Sequence, residues 1–224
     1  MPTRVIMLSG FKNSGKDTTA KILAKFLINN DDYDVKSIEY QSFALPIKAA
    51  ASKIFGIPFE VLEGKTPENR ELREQVDPFW SQVIPEFTPR KSLTMLGTDI
   101  LRKYIHNDLW ILRMQQSIIS SNSDTIIITD LREPNEKDKI EAFCQENNIK
   151  VCHVHINRTN PDWYEDGMNI ILEENPENWE SEFDKLNVHP SEWKQLLLIP
   201  DFSIDNTEPD YESHIEKQLW DYNF

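Results

Sequence analysis

The chain has 224 residues, enough for one α/β domain with a sizeable core and too few for two independent domains of ordinary size. Its formal net charge of −14 at pH 7 argues against nucleic acid or an anionic membrane as a partner, so any phosphate site has to be a local basic pocket. No apolar run of about 18 residues is present, and the amino terminus continues straight into an apolar strand. The sequence therefore predicts neither a membrane span nor a signal peptide, and it favours a cytoplasmic location, or the equivalent compartment of an infected cell.

A glycine-containing loop near the amino terminus is the most informative stretch. Residues 5–8 predict a buried strand, and the apolar positions within 20–27 fall on one face of a predicted helix. Strand, glycine loop and helix in this order are typical of a P-loop. Glycines let backbone N–H groups surround a phosphate, and the helix N-terminus adds partial positive charge. The loop reads Gly10-Phe11-Lys12-Asn13-Ser14-Gly15-Lys16-Asp17-Thr18-Thr19. The alternative is a glycine turn before an ordinary helix.

One position of this loop departs from the common pattern. Asp17 follows Lys16 directly, and the hydroxyl comes one residue later at Thr18. The shift resembles the Gly-Lys-Gly-Thr loops of nucleoside monophosphate kinases, and Gly-Lys-Asp-Thr resembles the loops of small-metabolite kinases. Whether Thr18 contacts Mg²⁺ directly or through water stays open.

A second informative stretch begins with the β-branched run at 125–129, which predicts a central parallel strand covered on both faces. Asp130 ends this strand, and in P-loop proteins a carboxylate at such a position holds Mg²⁺ or one of its waters. Arg132 follows at the same edge, where a guanidinium can bind phosphate oxygens in pairs. The alternative is an ordinary turn aspartate. Further strands at 35–40 and 150–156, separated by predicted helices, indicate a doubly wound parallel sheet.

The middle of the chain predicts a small insertion rather than a new domain. Residues 57–91 break into short pieces with prolines between them. They contain five Lys or Arg residues in an otherwise acidic chain, which makes them a candidate site for a second phosphate group. For Arg70 and Arg73 a solvated helix face is an equal alternative, because glutamates interleave with them. Residues 92–105 predict an amphipathic helix, with Leu93, Leu96, Ile100, Leu101 and Tyr104 on one side.

Residues 161–184 contain nine Asp or Glu and no Lys or Arg. They predict an acidic surface excursion, with a lid as the alternative. Cys144 and Cys152 lie in apolar patterns without metal-ligand spacing, so both are interpreted as small buried side chains. His153 and His155 share one face of a predicted strand, which favours packing or solvent contact over a metal site.

Four segments of the chain, taken together, resemble the deoxynucleoside monophosphate kinases of tailed bacteriophages and large DNA viruses. They are the loop at 10–19, Phe-Ala-Leu-Pro-Ile-Lys at 43–48, Arg-Lys-Ser-Leu-Thr-Met-Leu-Gly-Thr-Asp at 90–99 with Leu-Trp at 109–110, and Ile-Thr-Asp-Leu-Arg-Glu-Pro-Asn-Glu at 128–136. His-Pro-Ser-Glu at 189–192 and Ile-Asp-Asn at 204–206 are similar too.

The resemblance implies a single P-loop kinase domain over residues 1–224, a three-layer αβα sandwich with a parallel sheet. Its implied activity is transfer of the γ-phosphoryl group of ATP to a deoxynucleoside monophosphate, with Mg²⁺. The implied ATP and phosphate contacts are Lys12, Asn13, Gly15, Lys16, Asp17 and Thr18. The implied monophosphate contacts are Lys48, Lys65, Arg90, Gly97, Thr98, Trp110, Asp130, Arg132 and Glu136. Ser191 matches less firmly.

The same resemblance implies roles in the reaction. The implied catalytic residues are Lys16, Arg132, Asp130 and Arg90. The implied ligands of Mg²⁺ are Thr18 and Asp130. The insertion at 57–91 would bind the monophosphate and close over it, and residues 159–188 would be a lid or an acidic excursion. The length and acidity of 159–188 depart from the family pattern. The implied partners are small-molecule substrates, and a homodimer stays open.

Two other functions fit the same residues. One is a P-loop kinase of another small phosphate acceptor such as phosphomevalonate, since phosphomevalonate kinases share Gly-Lys-Asp-Thr and a similar insertion. The other is a nucleotide-binding regulatory protein without transfer activity, which would dock partners through residues 161–184. The presence of Lys16, Asp130, Arg132 and Arg90 together counts against the second alternative.

Overall fold

A computed structural model describes residues 1–173, 175–208 and 210–221 of the chain. The strands are β1 (Arg4–Ser9), β2 (Ile38–Gln41), β3 (Thr125–Ile128), β4 (Lys150–Asn157) and β5 (Phe202–Asp205). The α-helices are α1 (Lys16–Asn29), α2 (Ala44–Phe55), α3 (Phe59–Glu63), α4 (Pro67–Glu74), α5 (Pro89–Thr94), α6 (Leu109–Ser120), α7 (Pro134–Glu146), α8 (Tyr164–Leu172), α9 (Pro176–Lys185), α10 (Pro190–Trp193) and α11 (Tyr211–Asp221). A π-helix, Met95–Arg102, follows α5 directly.

The strands form one parallel sheet in the order β2-β3-β1-β4-β5. Strand β1 is central and pairs with β3 on one side and β4 on the other. The connections between neighbouring parallel strands therefore have to cross over a face of the sheet, which is what places helices there. The predicted α/β fold with a parallel sheet is confirmed.

Both faces of the central strands are buried. Ile6 and Leu8 of β1 and Ile127 of β3 join one apolar cluster with α1 and α11. The residues that alternate with them on β1 and β3 point to the opposite face and are also fully buried. Because neither face of these strands is exposed to water, their sequences are continuous apolar runs instead of alternating apolar and polar residues.

Contacts divide the chain into two compact units, one of Met1–Ser42 with Gln115–Phe224 and one of Phe43–Met114. The first unit contains the whole sheet. The second has its own core, in which Ala51, Leu62 and Phe87 are fully buried. Its aromatic rings pack closely, with Phe55 and Phe87 centroids 4.9 Å apart. The sequence predicted short pieces between the prolines, at 58–63, 68–75 and 80–84, and the structure has α3, α4 and a 3₁₀ turn at Trp80–Gln82 there. Monophosphate binding by the insertion at 57–91 stays a prediction.

The chain is helical over most of residues 92–105, as predicted, but the predicted apolar face was wrong at two positions. A π-helix occupies the centre of this segment, and it bonds each residue to the fifth along, so the α-helical spacing on which the predicted face was based does not hold there. Leu96 is buried as expected, but Ile100 is 40% exposed and Tyr104 is 72% exposed. The predicted second strand also begins later, at Ile38 instead of residue 35.

The interpretation as a small buried side chain is confirmed for Cys144 and holds only in part for Cys152. Cys144 is buried in α7 and Cys152 is half-buried in β4. Burial raises the pKa of each thiol to about 12, so neither is a thiolate near neutral pH. Across the ranges that the structure describes, no helix combines the length and apolar character needed to cross a bilayer.

The buried sheet predicts a large effect for Ile127→Ala. The change removes three carbons from a site with no exposed surface, and we expect the free energy of unfolding to fall by about 2–5 kcal/mol in urea titrations. The matched control is Ile119→Ala in α6, where the side chain is 52% exposed and the expected change is within about 0.5 kcal/mol. Equal losses for the two variants would contradict the assigned core.

Candidate functional site

The loop at residues 10–18, called the phosphate loop from here on, lies between the end of β1 and the start of α1. Its backbone turns through the left-handed region at Gly10 (φ 141°), Asn13 (φ 66°) and Gly15 (φ 91°). A Cβ at Gly10 would lie 2.6 Å from the carbonyl oxygen of Ile156, so only glycine fits there. Gly15 caps α1 without any side-chain hydrogen bond to the first N–H groups of the helix. Those N–H groups form an anion-binding helix N-terminus.

Lys16 begins α1 and its side chain reaches back across the loop. Its ammonium donates hydrogen bonds to the carbonyl oxygens of Gly10, at 2.5 Å, and of Phe11, at 2.8 Å. Burial and, next, repulsion by Arg132 lower the pKa of Lys16 to about 8, against the opposing attraction of Asp17 and Asp130. The cation is therefore held over the loop and interacts with the charges at the end of β3.

The segment after β3 is attached to the carboxyl edge of the sheet by its backbone. The N–H of Thr129 donates to the carbonyl of Gln41 at 3.0 Å, and the N–H of Leu131 donates to the carbonyl of Leu8 at 3.1 Å. Asp130 lies between these two anchors. Its carboxylate and the guanidinium of Arg132 both act on the charge of Lys16, so the two informative stretches of the sequence meet at one edge.

Glu136 serves the backbone of this edge. It is 3% exposed, and its carboxylate accepts hydrogen bonds from the N–H groups of Arg132, at 3.2 Å, and Glu133, at 3.3 Å. Glu133 and Glu136 form a capping box at the start of α7. Glu136 therefore fixes the backbone of the segment that carries Arg132.

The predicted site residues are divided between the two compact units. The first unit brings together the phosphate loop, with Lys12, Asn13, Asp17 and Thr18 exposed, and the Asp130 edge. The second unit carries Lys48 in α2, Lys65 after α3, Arg90 in the first turn of α5, Gly97 and Thr98 in the π-helix, and Trp110 in α6. Ser191 lies in α10, where its hydroxyl bonds to the imidazole of His189.

Trp110 and Gly97 form a buried pair in the second unit. The indole N–H of Trp110 donates to the carbonyl of Gly97 at 2.9 Å, and the side chain of Trp110 is only 6% exposed. A Cβ at Gly97 would lie 3.0 Å from Cδ1 of Ile47, so tight packing explains the glycine. Thr98, the next residue, is exposed. The pair therefore supports the π-helix on which Thr98 is presented.

Sequence analysis missed a buried polar group under the phosphate loop. The hydroxyl of Ser9, at the end of β1, lies 2.6 Å from Nε2 of His153 and 2.8 Å from Nδ1 of His155. Nδ1 of His153 lies 3.3 Å from the carbonyl of Ile199, which can only accept. Nε2 of His153 therefore accepts from Ser9, and Ser9 accepts from His155. The sequence showed that His153 and His155 share one face of a strand. It did not show that this strand, β4, pairs with β1, which carries Ser9.

The acidic segment has its own core and contacts the phosphate loop. Helices α8 and α9 pack around Phe183, Val188 and Trp193, with Trp163 against them. The ring of Phe11, in the phosphate loop, meets the ring of Trp163 edge-to-face at 5.6 Å. Glu174 lies outside the described residues. Whether the segment acts as a lid or an excursion stays a prediction.

Across the described ranges, no group of three or more His, Cys, Asp or Glu side chains is close enough to hold a metal ion. Mg²⁺ that binds together with substrate phosphates does not need such a group, because it takes one or two protein ligands and completes its octahedron with phosphate oxygens and water. Thr18, on α1, and Asp130, after β3, carry oxygens of the type that Mg²⁺ prefers. The residues present fit the ion.

No family model matches the chain. It is 28% identical over 175 residues to the "Deoxynucleoside-5'-monophosphate kinase" of Escherichia phage T5, a match that covers 59% of this chain and 69% of that protein. It is 30% identical over 153 residues to the "Putative deoxynucleotide monophosphate kinase" of Acanthamoeba polyphaga mimivirus, covering 62% of this chain and 69% of that protein. The structure of the Mycobacterium tuberculosis APS kinase in complex with AMPPNP and APS aligns over 99% of this chain and 98% of its own, with a TM-score of 0.45 and 8% identity.

The lowered pKa of Lys16 predicts how triphosphate affinity depends on pH. Bound phosphates favour the charged ammonium, so affinity falls by up to about tenfold per pH unit once the pH rises above about 8. Calorimetric titration with ATP and Mg²⁺ between pH 7 and 9.5 measures the fall. Lys16→Arg is the control, because a guanidinium stays charged over this range and its slope should be flat. The same slope in both proteins would contradict the prediction.

The buried imidazole of His153 predicts a loss of stability in acid. Burial lowers the pKa of His153 to about 4, from its ordinary value of 6.5. The unfolded chain therefore binds a proton first as pH falls, so the stabilisation is full above pH 6.5 and is lost as pH approaches 4. Urea unfolding at pH 7, 6 and 5 should show a decline that is steeper in the native protein than in His153→Gln, by on the order of 1–2 kcal/mol.

The control for this experiment is His106→Gln, which changes an exposed histidine. It should keep the native decline with pH. A His153→Gln protein that loses stability in acid as steeply as the native one would show that His153 is not the group responsible.

Proposed function

The chain belongs to the family of deoxynucleoside monophosphate kinases, and we propose that it transfers the γ-phosphoryl group of ATP to a deoxynucleoside monophosphate, giving a deoxynucleoside diphosphate and ADP. The observation that carries this proposal is the meeting of Lys16 with Asp130 and Arg132 at one sheet edge. Amide groups, a lysine and an arginine at one place are what a terminal phosphate requires.

The reaction needs positioning and charge neutralisation more than covalent help. The acceptor is a phosphate oxygen that is already largely deprotonated at pH 7, so no general base has to remove a proton from it. It attacks the γ-phosphorus while the bond to the bridging oxygen of ADP breaks. Negative charge spreads over the transferred oxygens, and the protein contributes by placing cations there in advance.

Lys16 has the central task in this proposal. The ammonium that now donates to Gly10 and Phe11 would donate instead to β- and γ-phosphate oxygens, which are stronger acceptors than amide carbonyls. The first N–H groups of α1 would bind the same phosphates. Arg132 would offset the charge of the transferred group, and Glu136 would keep its segment in place.

Mg²⁺ would be held by Thr18 and Asp130 together with the phosphates. When bound, it neutralises charge on the β- and γ-phosphate oxygens. Asp17, in the first turn of α1, would contact the phosphates through its backbone N–H, and we propose that its exposed carboxylate, which would repel phosphate, faces solvent.

Binding of the monophosphate is proposed for the second unit. Arg90 and Lys48 would offset the charge of the acceptor phosphate, and Lys65 would add to them from a position where it now pairs with Glu63 at 2.7 Å. Trp110 would act through Gly97 by supporting the π-helix, with Thr98 as the exposed contact. A cytoplasmic location, or the equivalent compartment of an infected cell, remains a prediction from the sequence, and a homodimer stays open.

A coupled assay of ADP release tests the proposal with ATP and a panel of deoxynucleotide and ribonucleotide monophosphates. We expect turnover of at least one deoxynucleotide, reduced by roughly 10²–10³-fold in Lys16→Ala because the transferred charge loses its main counter-ion. The matched control is Lys21→Ala, an exposed lysine of the same helix, which should retain native rates.

The panel also separates the alternatives. Turnover of phosphomevalonate but of no nucleotide would replace the proposal with a metabolite kinase. Tight ATP binding without acceptor-dependent ADP release would replace it with a nucleotide-binding protein that lacks transfer activity.

A further inference from the structure

Asn206 connects the far end of the sheet to the phosphate loop. It directly follows β5, and its backbone N–H donates to the carbonyl of Asn157 at 2.8 Å, which continues the pairing of β5 with β4. Its side-chain Nδ2 donates to the carbonyl oxygen of Ser14 at 2.8 Å. The two residues are 192 positions apart in the sequence, and the contact is buried. The carboxyl-terminal strand thus reaches the turn of the loop that precedes α1.

The contact fixes the direction of one peptide group. The carbonyl of Ser14 and the N–H of Gly15 belong to the same planar trans peptide, so they point in opposite directions. Because Asn206 holds the carbonyl on its own side, the N–H of Gly15 points away from Asn206. If this peptide rotated, a carbonyl oxygen would replace the N–H and would repel a phosphate.

Gly15 and Asn206 are matched in shape. A Cβ built on Gly15 would overlap with Nδ2 of Asn206. The carboxamide therefore occupies the space that a side chain at position 15 would need. Position 15 therefore requires glycine for two reasons, the space taken by Asn206 and the backbone φ of 91°.

Packing alone does not account for an amide at this position. Asn206 is 5% exposed, and its Oδ1 is buried with no hydrogen-bond partner among the residues that the structure describes. A buried acceptor without a partner is costly, so an apolar side chain of similar size would serve better if filling space were the only requirement. The bond from Nδ2 to Ser14 is what the amide adds.

We propose that Asn206 is a positioning residue for phosphoryl transfer, which acts by holding the Ser14–Gly15 peptide with its N–H toward the ATP phosphates. This inference rests on the proposed function, because it assigns the phosphates to that loop. It concerns the ATP side alone, so it is measurable without any acceptor.

The test replaces Asn206 by Leu, which keeps the volume and removes the donor. Calorimetry with ATP and Mg²⁺, in the absence of any monophosphate, should show affinity reduced by about 10-fold, in the range expected for one buried hydrogen bond. In the coupled assay the KM for ATP should rise and kcat should fall, and the KM for the monophosphate should stay at the native value. Loss of a purely structural residue would not raise the KM for ATP while it leaves the KM for the monophosphate unchanged.

The matched control is Gln218→Leu. Gln218 in α11 makes two hydrogen bonds to the backbone of Asp205, the neighbour of Asn206, and these are 2.8 and 2.9 Å long. The change therefore loosens the same end of β5 without touching the phosphate loop. We expect a lowered melting temperature with native ATP affinity.

Asn206→Asp is the second variant, in case the leucine protein does not fold. Aspartate has nearly the same shape, but its carboxylate cannot donate to Ser14 and adds negative charge near the phosphates, so ATP affinity should fall further than in Asn206→Leu. Native ATP affinity in either folded variant, or equal losses in Asn206→Leu and Gln218→Leu, would overturn the inference. Native ATP binding by the unaltered protein without nucleotide turnover would refute the proposed function and leave this test intact.

Discussion

The pairing of β1 with β3 on one side and β4 on the other is the constraint on which the site depends. In a parallel sheet all carboxyl ends meet at one edge, so the loop after β1 and the segment after β3 have to be neighbours. The bond from Leu131 to Leu8 ties that segment to the strand that leads into the phosphate loop. The phosphate loop and the Asp130 edge are therefore placed by backbone pairing, before any side chain contributes.

The proposed binding of ATP has to overcome the electrostatic repulsion of an acidic protein. The whole chain carries a net charge of −14, which by itself would repel ATP. Lys16 and Arg132 are brought close enough that their repulsion helps to lower the pKa of Lys16 to about 8. Placing two cations together costs free energy in the protein, and phosphates bound there, as proposed, would relieve that cost. Pre-arranged cations of this kind are what phosphoryl transfer requires.

The features that the sequence predicted well lie in short, contiguous motifs. The phosphate loop and Asp130 each follow an apolar strand, and such patterns are predictable because they depend only on residues that are neighbours in the sequence. Two kinds of feature could not be predicted from the sequence. The π-helix at 95–102 changes the residue spacing that a periodicity argument assumes, so Tyr104 was placed on the wrong face. The contacts of Ser9 with His153 and of Asn206 with Ser14 join distant positions, and only the order of the strands brings them together.

The central claim is that the amides of the phosphate loop, with Lys16, bind the β- and γ-phosphates beside Arg132. Two-dimensional ¹⁵N NMR of the protein titrated with a non-hydrolysable ATP analogue and Mg²⁺ examines those groups directly. The account predicts that the largest shifts fall on the backbone N–H groups of residues 12–18 and on the side-chain Nε–H of Arg132. Saturable binding that leaves these resonances in place and shifts others would contradict it.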